Sequence, residues 1–208
     1  MPQNSLTEAQ IQDRLYVWSQ HLKHPVALPN VYLGTSEADF ISVTKAGLLM
    51  EVEIKVWRGD WLRELDAMVQ SEPARFRQAC MDVSAGKSMT FEESRRNRRI
   101  STAKWCKHNH MQQAYSEHHH PGPGVPNYYW VAALTGVIRD EDLERVPEYV
   151  GIIDVVREPT HRLLSSLKVR RKAKIIHHEK VKDRTMVKLA RGIQFRYWEK
   201  RVNASSGS

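Results

Sequence analysis

Cysteine is scarce in this 208-residue chain. Cys80 and Cys106 are too few for a disulfide framework, and by themselves too few for a zinc site, which takes four Cys or His ligands at short spacing. No run approaches the ~18 consecutive apolar residues of a membrane span. The N-terminus has no basic segment followed by an apolar one, the mark of a secretory signal. A soluble, cytoplasmic protein with no membrane partner is therefore expected. Gly86-Lys87-Ser88 has the end of a phosphate-binding loop, but Met81 stands where its upstream glycine belongs, and the P-loop reading fails. A zinc alternative is carried by Cys106-Lys107-His108-Asn109-His110 and by His118 to His120, although the second run leads into Pro121-Gly122-Pro123-Gly124, the composition of a loop.

The chain is 41% hydrophobic, enough at this length for one sizeable core with an appendage. Its net charge of +8 is unevenly placed: His161 to Arg201 holds 14 Lys and Arg against three acids, a balance of +11 that leaves −3 for the remainder. A cluster of this kind, including Arg170, Arg171, Lys172 and Lys174, is the electrostatic footprint of a polyanion partner such as DNA, and equally of a solvated basic tail. Arg95, Arg96, Arg98 and Arg99 form a second dense group, expected to be a mobile phosphate-seeking loop, with an exposed helix as the alternative.

The chemistry-bearing pattern lies between Asp39 and Lys55. Asp39 to Thr44 reads as a strand, Ala46-Gly47 as its turn, and Leu48 to Val56 as the returning strand of a hairpin. Alternation then puts Met50, Val52 and Ile54 on one face and Leu49, Glu51, Glu53 and Lys55 on the other. The hairpin returns Asp39 to the end carrying Glu53 and Lys55. Two converging carboxylates suit a hard divalent cation that keeps several waters, and a neighbouring lysine can stabilise charge on a phosphoryl oxygen. A surface hairpin with solvated charges is the plain alternative. Glu37, two residues before Asp39, is a reserve candidate for the same side.

This Asp39…Glu53-Ile54-Lys55 arrangement resembles the core of the PD-(D/E)XK nuclease superfamily, the restriction-endonuclease-like proteins, and within it the Holliday-junction-resolvase-like and DNA-repair branches. The resemblance spans Glu8 to Val156 and is tightest from Asp39 to Asp66; Ala38 stands where a proline often precedes the aspartate. It implies an α/β fold, a mixed central sheet flanked by helices. It also implies a Mg²⁺- or Mn²⁺-dependent DNA endonuclease, acting on branched or repair-intermediate DNA and forming a homodimer. Asp39 and Glu53 would hold the metal, Lys55 would assist electrostatically or as a base, and Glu8 would add an acid from the first helix. Lys104 and His108, from the helix after the core hairpin, would approach the scissile phosphate. Size and the lack of a separate recognition domain are similar to phage or mobile-element proteins. A non-cleaving DNA-binding or repair-accessory protein on the same fold is the second reading, and a basic protein-interaction module the third.

Along the chain, Ser5 to Glu8 reads as a capping box that would account for Glu8 without chemistry, ahead of an amphipathic helix with Ile11, Leu15, Trp18 and Leu22. Pro25 to Pro29 reads as a break and Val31 to Leu33 as a short strand. Trp61, Leu62, Leu65, Met68 and Val69 mark a helix face, and Thr102 to Tyr115 a further helix. Tyr128 to Leu134 and Val150 to Val156 read as strands buried on both faces. The expected organisation is a core over residues 1–160 with 67–102 inserted, a basic extension over 161–201 whose helix Asp183 can cap, and a disordered end over 202–208.

Overall fold

A computed structural model describes residues 6–33, 36–69, 92–117, 121, 124–156 and 166–206. Helix α1 (Glu8–His21) is capped by Thr7, whose hydroxyl accepts from the Gln10 N–H (3.3 Å) while Gln10 Oε1 accepts from the Thr7 N–H (2.8 Å). The capping box is therefore Thr7 to Gln10, two residues beyond the one expected at Ser5, and Glu8 sits in the first turn, where the helix dipole favours an acid. Ile11 and Leu15 form the buried stripe, with Gln12 and Ser19 buried among them.

Strands β1 (Val26–Leu33), β2 (Ser36–Val43) and β3 (Leu49–Lys55) make an antiparallel meander. Its second turn closes with the Thr44 N–H donating to Leu48 O (2.9 Å) and Gly47 at φ +79°, a conformation that favours glycine. The break expected at Pro25 to Pro29 is overturned: Val26 to Pro29 pair with Phe40 to Val43. Pro29 is tolerated because β1 is an edge strand with no further neighbour.

From β3 the chain crosses over through α2 (Arg58–Val69) and α3 (Glu92–Glu117) to β4 (Tyr128–Leu134), which is parallel to β3. The short α4 (Asp140–Leu143) leads to β5 (Val150–Val155), parallel to β4, and β6 (Leu167–Arg171) returns antiparallel to it. Helix α5 (Asp183–Ser206) ends the chain. The result is an α/β protein with a six-stranded mixed sheet in sequential order, flanked by helices. No helix among the described residues is long and apolar enough to cross a membrane.

The two sheet faces have different partners. Trp18 of α1 meets Trp130 edge-on with ring centroids 5.7 Å apart, on the face that carries Val52, paired with Trp130 across the ladder. Gly151 makes room for that indole, since a Cβ there would come within 2.3 Å of the Trp130 ring. On the opposite face α2 and α3 meet Glu51, Glu53, Lys55 and Tyr129. A smaller apolar cluster joins Leu189 of α5 to Leu28, Ile41, Val43 and Leu49.

Four boundaries differ from the sequence reading. Helix α3 starts at Glu92, not near Thr102, so Arg95 to Arg99 lie on a helix rather than a loop, and the segment expected as an insertion ends inside a core helix. Residues 70–91 lie outside the described residues. The expected extension over 161–201 contributes β6, an integral strand, because Leu167 to Lys168 and Val169 to Arg171 complete the ladder of β5. Helix α5 continues through Ser206, into the end expected to be disordered, and Asp183 is its first residue. Within α2, Val69 is exposed while the buried positions are Trp61, Glu64 and Leu65.

Candidate active site

The hairpin does bring the acid pair together. The β2–β3 ladder runs to Phe40 and Val52, and beyond it the Asp39 side chain takes the place of a backbone acceptor, with the Ile54 N–H donating to Asp39 Oδ2 (2.7 Å). Glu53 follows Val52 on the same hairpin end. Gln12 of α1 fastens this corner from outside, its Nε2 donating to Asp39 O (2.9 Å), Asn30 Oδ1 (2.8 Å) and Glu8 Oε1 (3.2 Å). Glu8 is exposed and reaches the corner through Gln12. Glu37 is opposite Tyr32 on β1 and hydrogen-bonded to its hydroxyl, away from the cluster.

Four carboxyls and three ammonium groups meet over the sheet. Lys55 Nζ lies 3.1 Å from Glu53 Oε2 and 3.1 Å from Glu64 Oε2. Lys104 Nζ lies 2.8 Å from Glu64 and 3.4 Å from Glu53, and Lys107 Nζ contacts Glu51 and lies 3.4 Å from Glu53 Oε1. His108 Nε2 is 2.6 Å from Glu64 Oε1, which also accepts from the Tyr129 hydroxyl (3.0 Å). The Lys107 ammonium sits 5.3 Å from the Tyr129 ring centroid. Glu51, Glu53, Glu64, Lys55 and His108 are all buried. Charges at such depth persist only when paired, because desolvation costs several kcal/mol per ion and good geometry must offset it.

These contacts pull the acids apart electrostatically. Burial alone would raise the Glu53 carboxyl, but Lys55, Lys107 and Lys104 overcome it and hold it at about 2. Burial of Glu64 is likewise outweighed, by Lys55 and the His108 hydrogen bond, so it lies well below the usual carboxylate range. Burial and the facing Glu53 push Asp39 up to about 7, and burial pushes Glu51 to about 7 against the pull of Lys107. Lys55 titrates well above its ordinary value: Glu64, Glu53 and Asp39 outweigh the cost of burying its charge. It is therefore a fixed cation at neutral pH, the state that the electrostatic role expected of it requires.

Asp39 makes no ion pair among the described residues, although it faces an ionised Glu53. Two oxygen donors in that arrangement fit a hard divalent cation, which fills its remaining positions with water and substrate oxygens. Among the described residues no group of three or more His, Cys, Asp or Glu side chains is arranged around a metal position. For the zinc alternative, His108 is bound to Glu64, and His118 to His120 lie outside the described residues.

The residues nominated for nucleic acid fare unevenly. Lys104 and His108 belong to the acid–lysine cluster, and His108, 2% exposed, has its Nε2 bound to Glu64. Arg171 is a correction of the same kind: its guanidinium donates to Val150 O (2.9 Å), Pro147 O (2.9 Å), Val146 O (3.3 Å) and Leu143 O (3.4 Å), tying α4 to β6. Arg170 is held by Ile138 O (2.8 Å) and Asp140, and Lys174 by Glu148. Lys172 is exposed. The side chains of Arg95, Arg96, Arg98 and Arg99 lie outside the described residues.

Glu64, Lys107 and Gln12 are members of the site that strand alternation around Asp39 did not nominate, and Glu51, which alternation placed on that face, was given no role. A signal for Glu64 existed: Trp61, Glu64, Leu65 and Met68 follow the i, i+3, i+4, i+7 spacing of a buried helical stripe, so a carboxylate falls where an apolar side chain is due.

No family model matches this chain, and no curated protein matches it. Among solved structures it is similar to a protein of unknown function from Silicibacter pomeroyi, with 13% identity, a TM-score of 0.48, and coverage of 95% of this chain and 93% of that one.

Proposed function

We propose that the protein is a metal-dependent DNA endonuclease of the restriction-endonuclease-like type, with Asp39 and Glu53 as metal ligands and Lys55 as the fixed cation. The observation that carries this reading is the meeting of Asp39, Glu53 and Lys55 at one hairpin end, with the aspartate in no ion pair among the described residues and the glutamate ionised. The mixed central sheet flanked by helices supports it, since a sheet of that kind is what the resemblance implied.

A Mg²⁺ or Mn²⁺ ion bound there would polarise a phosphoryl oxygen and lower the pKa of its water. Lys55 has three donors and the two glutamates take two, which leaves one for an oxygen of the substrate phosphate. Glu64 holds Lys55 in place and keeps it charged, and Glu51 does the same for Lys107. The 3.4 Å approaches of Lys104 and Lys107 to Glu53 are the looser contacts that a metal at Glu53 would displace.

Incubation with linear duplex, single-stranded, flapped and four-way DNA, each in Mg²⁺, Mn²⁺ or EDTA, tests the reading. Cleavage of at least one substrate that needs metal and is lost in Glu53→Gln supports it. No cleavage of any of them, or cleavage unaffected by EDTA, overturns it.

A further inference from the structure

Two residues after Lys55 the chain carries Trp57, an indole that is 67% exposed. It lines a groove of about 780 Å³ beyond the carboxyl ends of β3, β4 and β5, together with Val56, Thr135, Gly136, Asp154 and Lys168. This volume is within the roughly 300–1,000 Å³ of small-molecule sites.

The sheet register ties the groove to the acid–lysine cluster. Lys55 pairs with Ala133, Ala133 with Asp154, and Asp154 with Lys168, so all four lie in one row. Strands are spaced about 4.8 Å apart, which places Asp154 about 10 Å from Lys55 along that row. A strand whose phosphodiester sits beside Lys55 reaches the groove within a nucleotide or two.

The lining has the three parts that a nucleotide needs. Trp57 offers a flat π-face for stacking, the Lys168 ammonium offers a counter-charge for phosphate, and the Asp154 carboxyl, whose Oδ1 lies 3.7 Å from Arg170 Nη1, has acceptor capacity left for an exocyclic amino group. Arg58 does not compete for that role, being bound to Asp142 Oδ1 (2.8 Å) and Val137 O (3.0 Å). A base inside a duplex is stacked on its neighbours and cannot present its face to an indole.

We infer that this groove receives one unpaired nucleobase of the DNA strand whose phosphodiester lies at Asp39, Glu53 and Lys55. The inference rests on the nuclease reading for the polymer, and it names the substrate class: DNA with unpaired nucleotides, not intact duplex.

Binding of a labelled single-stranded oligodeoxynucleotide, followed by fluorescence anisotropy in EDTA, tests this without cleavage. The wild type should bind the single strand at least tenfold more tightly than the matching duplex, and an abasic strand of equal length should bind as weakly as the duplex. Trp57→Ala should weaken single-strand binding about tenfold, and Trp57→Phe should keep it within about threefold, since the stack needs a ring and not the indole N–H. Unchanged circular dichroism and melting temperature for Trp57→Ala are expected of so exposed a side chain. Equal affinity for duplex and single strand, indifference to the missing bases, full binding by Trp57→Ala, or binding of RNA but not DNA would each overturn the inference. The two readings fail separately: Trp57-dependent binding without metal-dependent cleavage sinks the nuclease alone, and cleavage without Trp57-dependent binding sinks the base site alone.

Discussion

Glu53 is the centre of the charge arrangement, because three ammonium groups converge on it while Asp39, across the hairpin, forms no ion pair among the described residues. Opposed shifts of this kind predict an unusual pH profile. Asp39 and Glu51, raised to about 7, bind protons more readily in the folded protein than in the unfolded chain. Stability therefore falls as pH rises from the ordinary carboxylate range, about 4, to about 7. Glu53, held at about 2, and Glu64, held low, contribute stability that is present above that range and lost on further acidification. The melting temperature in EDTA should peak near pH 4–5 and decline toward pH 8, with Asp39→Asn flattening the decline. A melting temperature that climbs through pH 7 would contradict the assignment. At this scale Asp39, Glu53 and Lys55 were legible because strand alternation is rigid. Glu64, Lys107 and Gln12 were not, because only the docking of α1, α2 and α3 against the sheet brings them there.

At the scale of elements, two side chains fix how strands and helices join. Gly151→Ala would press a methyl into the Trp130 ring that α1 packs on, and such overpacking costs about 1–3 kcal/mol. Chemical denaturation should show that loss, and an unchanged midpoint would mean the indole can move aside. Arg171→Ala would take a donor from four carbonyl oxygens, of which Pro147 O keeps the Val150 N–H, at a cost of about 1–3 kcal/mol, while Lys172→Ala should leave stability unchanged. Comparable midpoints for the two variants would show that the guanidinium is not a structural clamp. Composition could not separate these neighbours: both count as +1 in a basic run, and only burial distinguishes a clamp from a surface charge. Elements with strong periodicity, such as β3, β4 and β5, were legible for the same reason that the start of α3 was not. Its first turns are arginine-rich, and a helix whose sequence is polar on every side leaves no apolar stripe to read.

For the whole molecule, the positive charge of the C-terminal quarter divides into cations locked in the fold and cations on its surface. Lys172, Lys180, Lys182 and Arg184 are exposed, and replacing all four by alanine should weaken DNA binding at every sequence tested. The slope of log K against log salt should flatten by about 0.9 for each phosphate that the variant no longer neutralises. An unchanged slope would place the DNA elsewhere. The α/β class and the sheet core were legible from the apolar runs, but the division between core and extension was not. Leu167 to Arg171 looks like the start of a basic tail in sequence and is the sixth strand of the sheet in the fold. An edge strand needs apolar residues on one face only, so Leu167 and its basic neighbours satisfy the sheet without an apolar run.

The central claim is that Asp39 and Glu53 together hold a divalent cation that Lys55 does not. Calorimetric titration with Mn²⁺ at pH 8, where Asp39 is ionised, tests it directly. The account predicts one site in the wild type, its loss in Asp39→Asn and in Glu53→Gln with the circular dichroism spectrum kept, and its retention in a Lys55→Ala variant that no longer cleaves. Undiminished Mn²⁺ binding by both carboxylate variants, or its loss on replacing Lys55 alone, would contradict it.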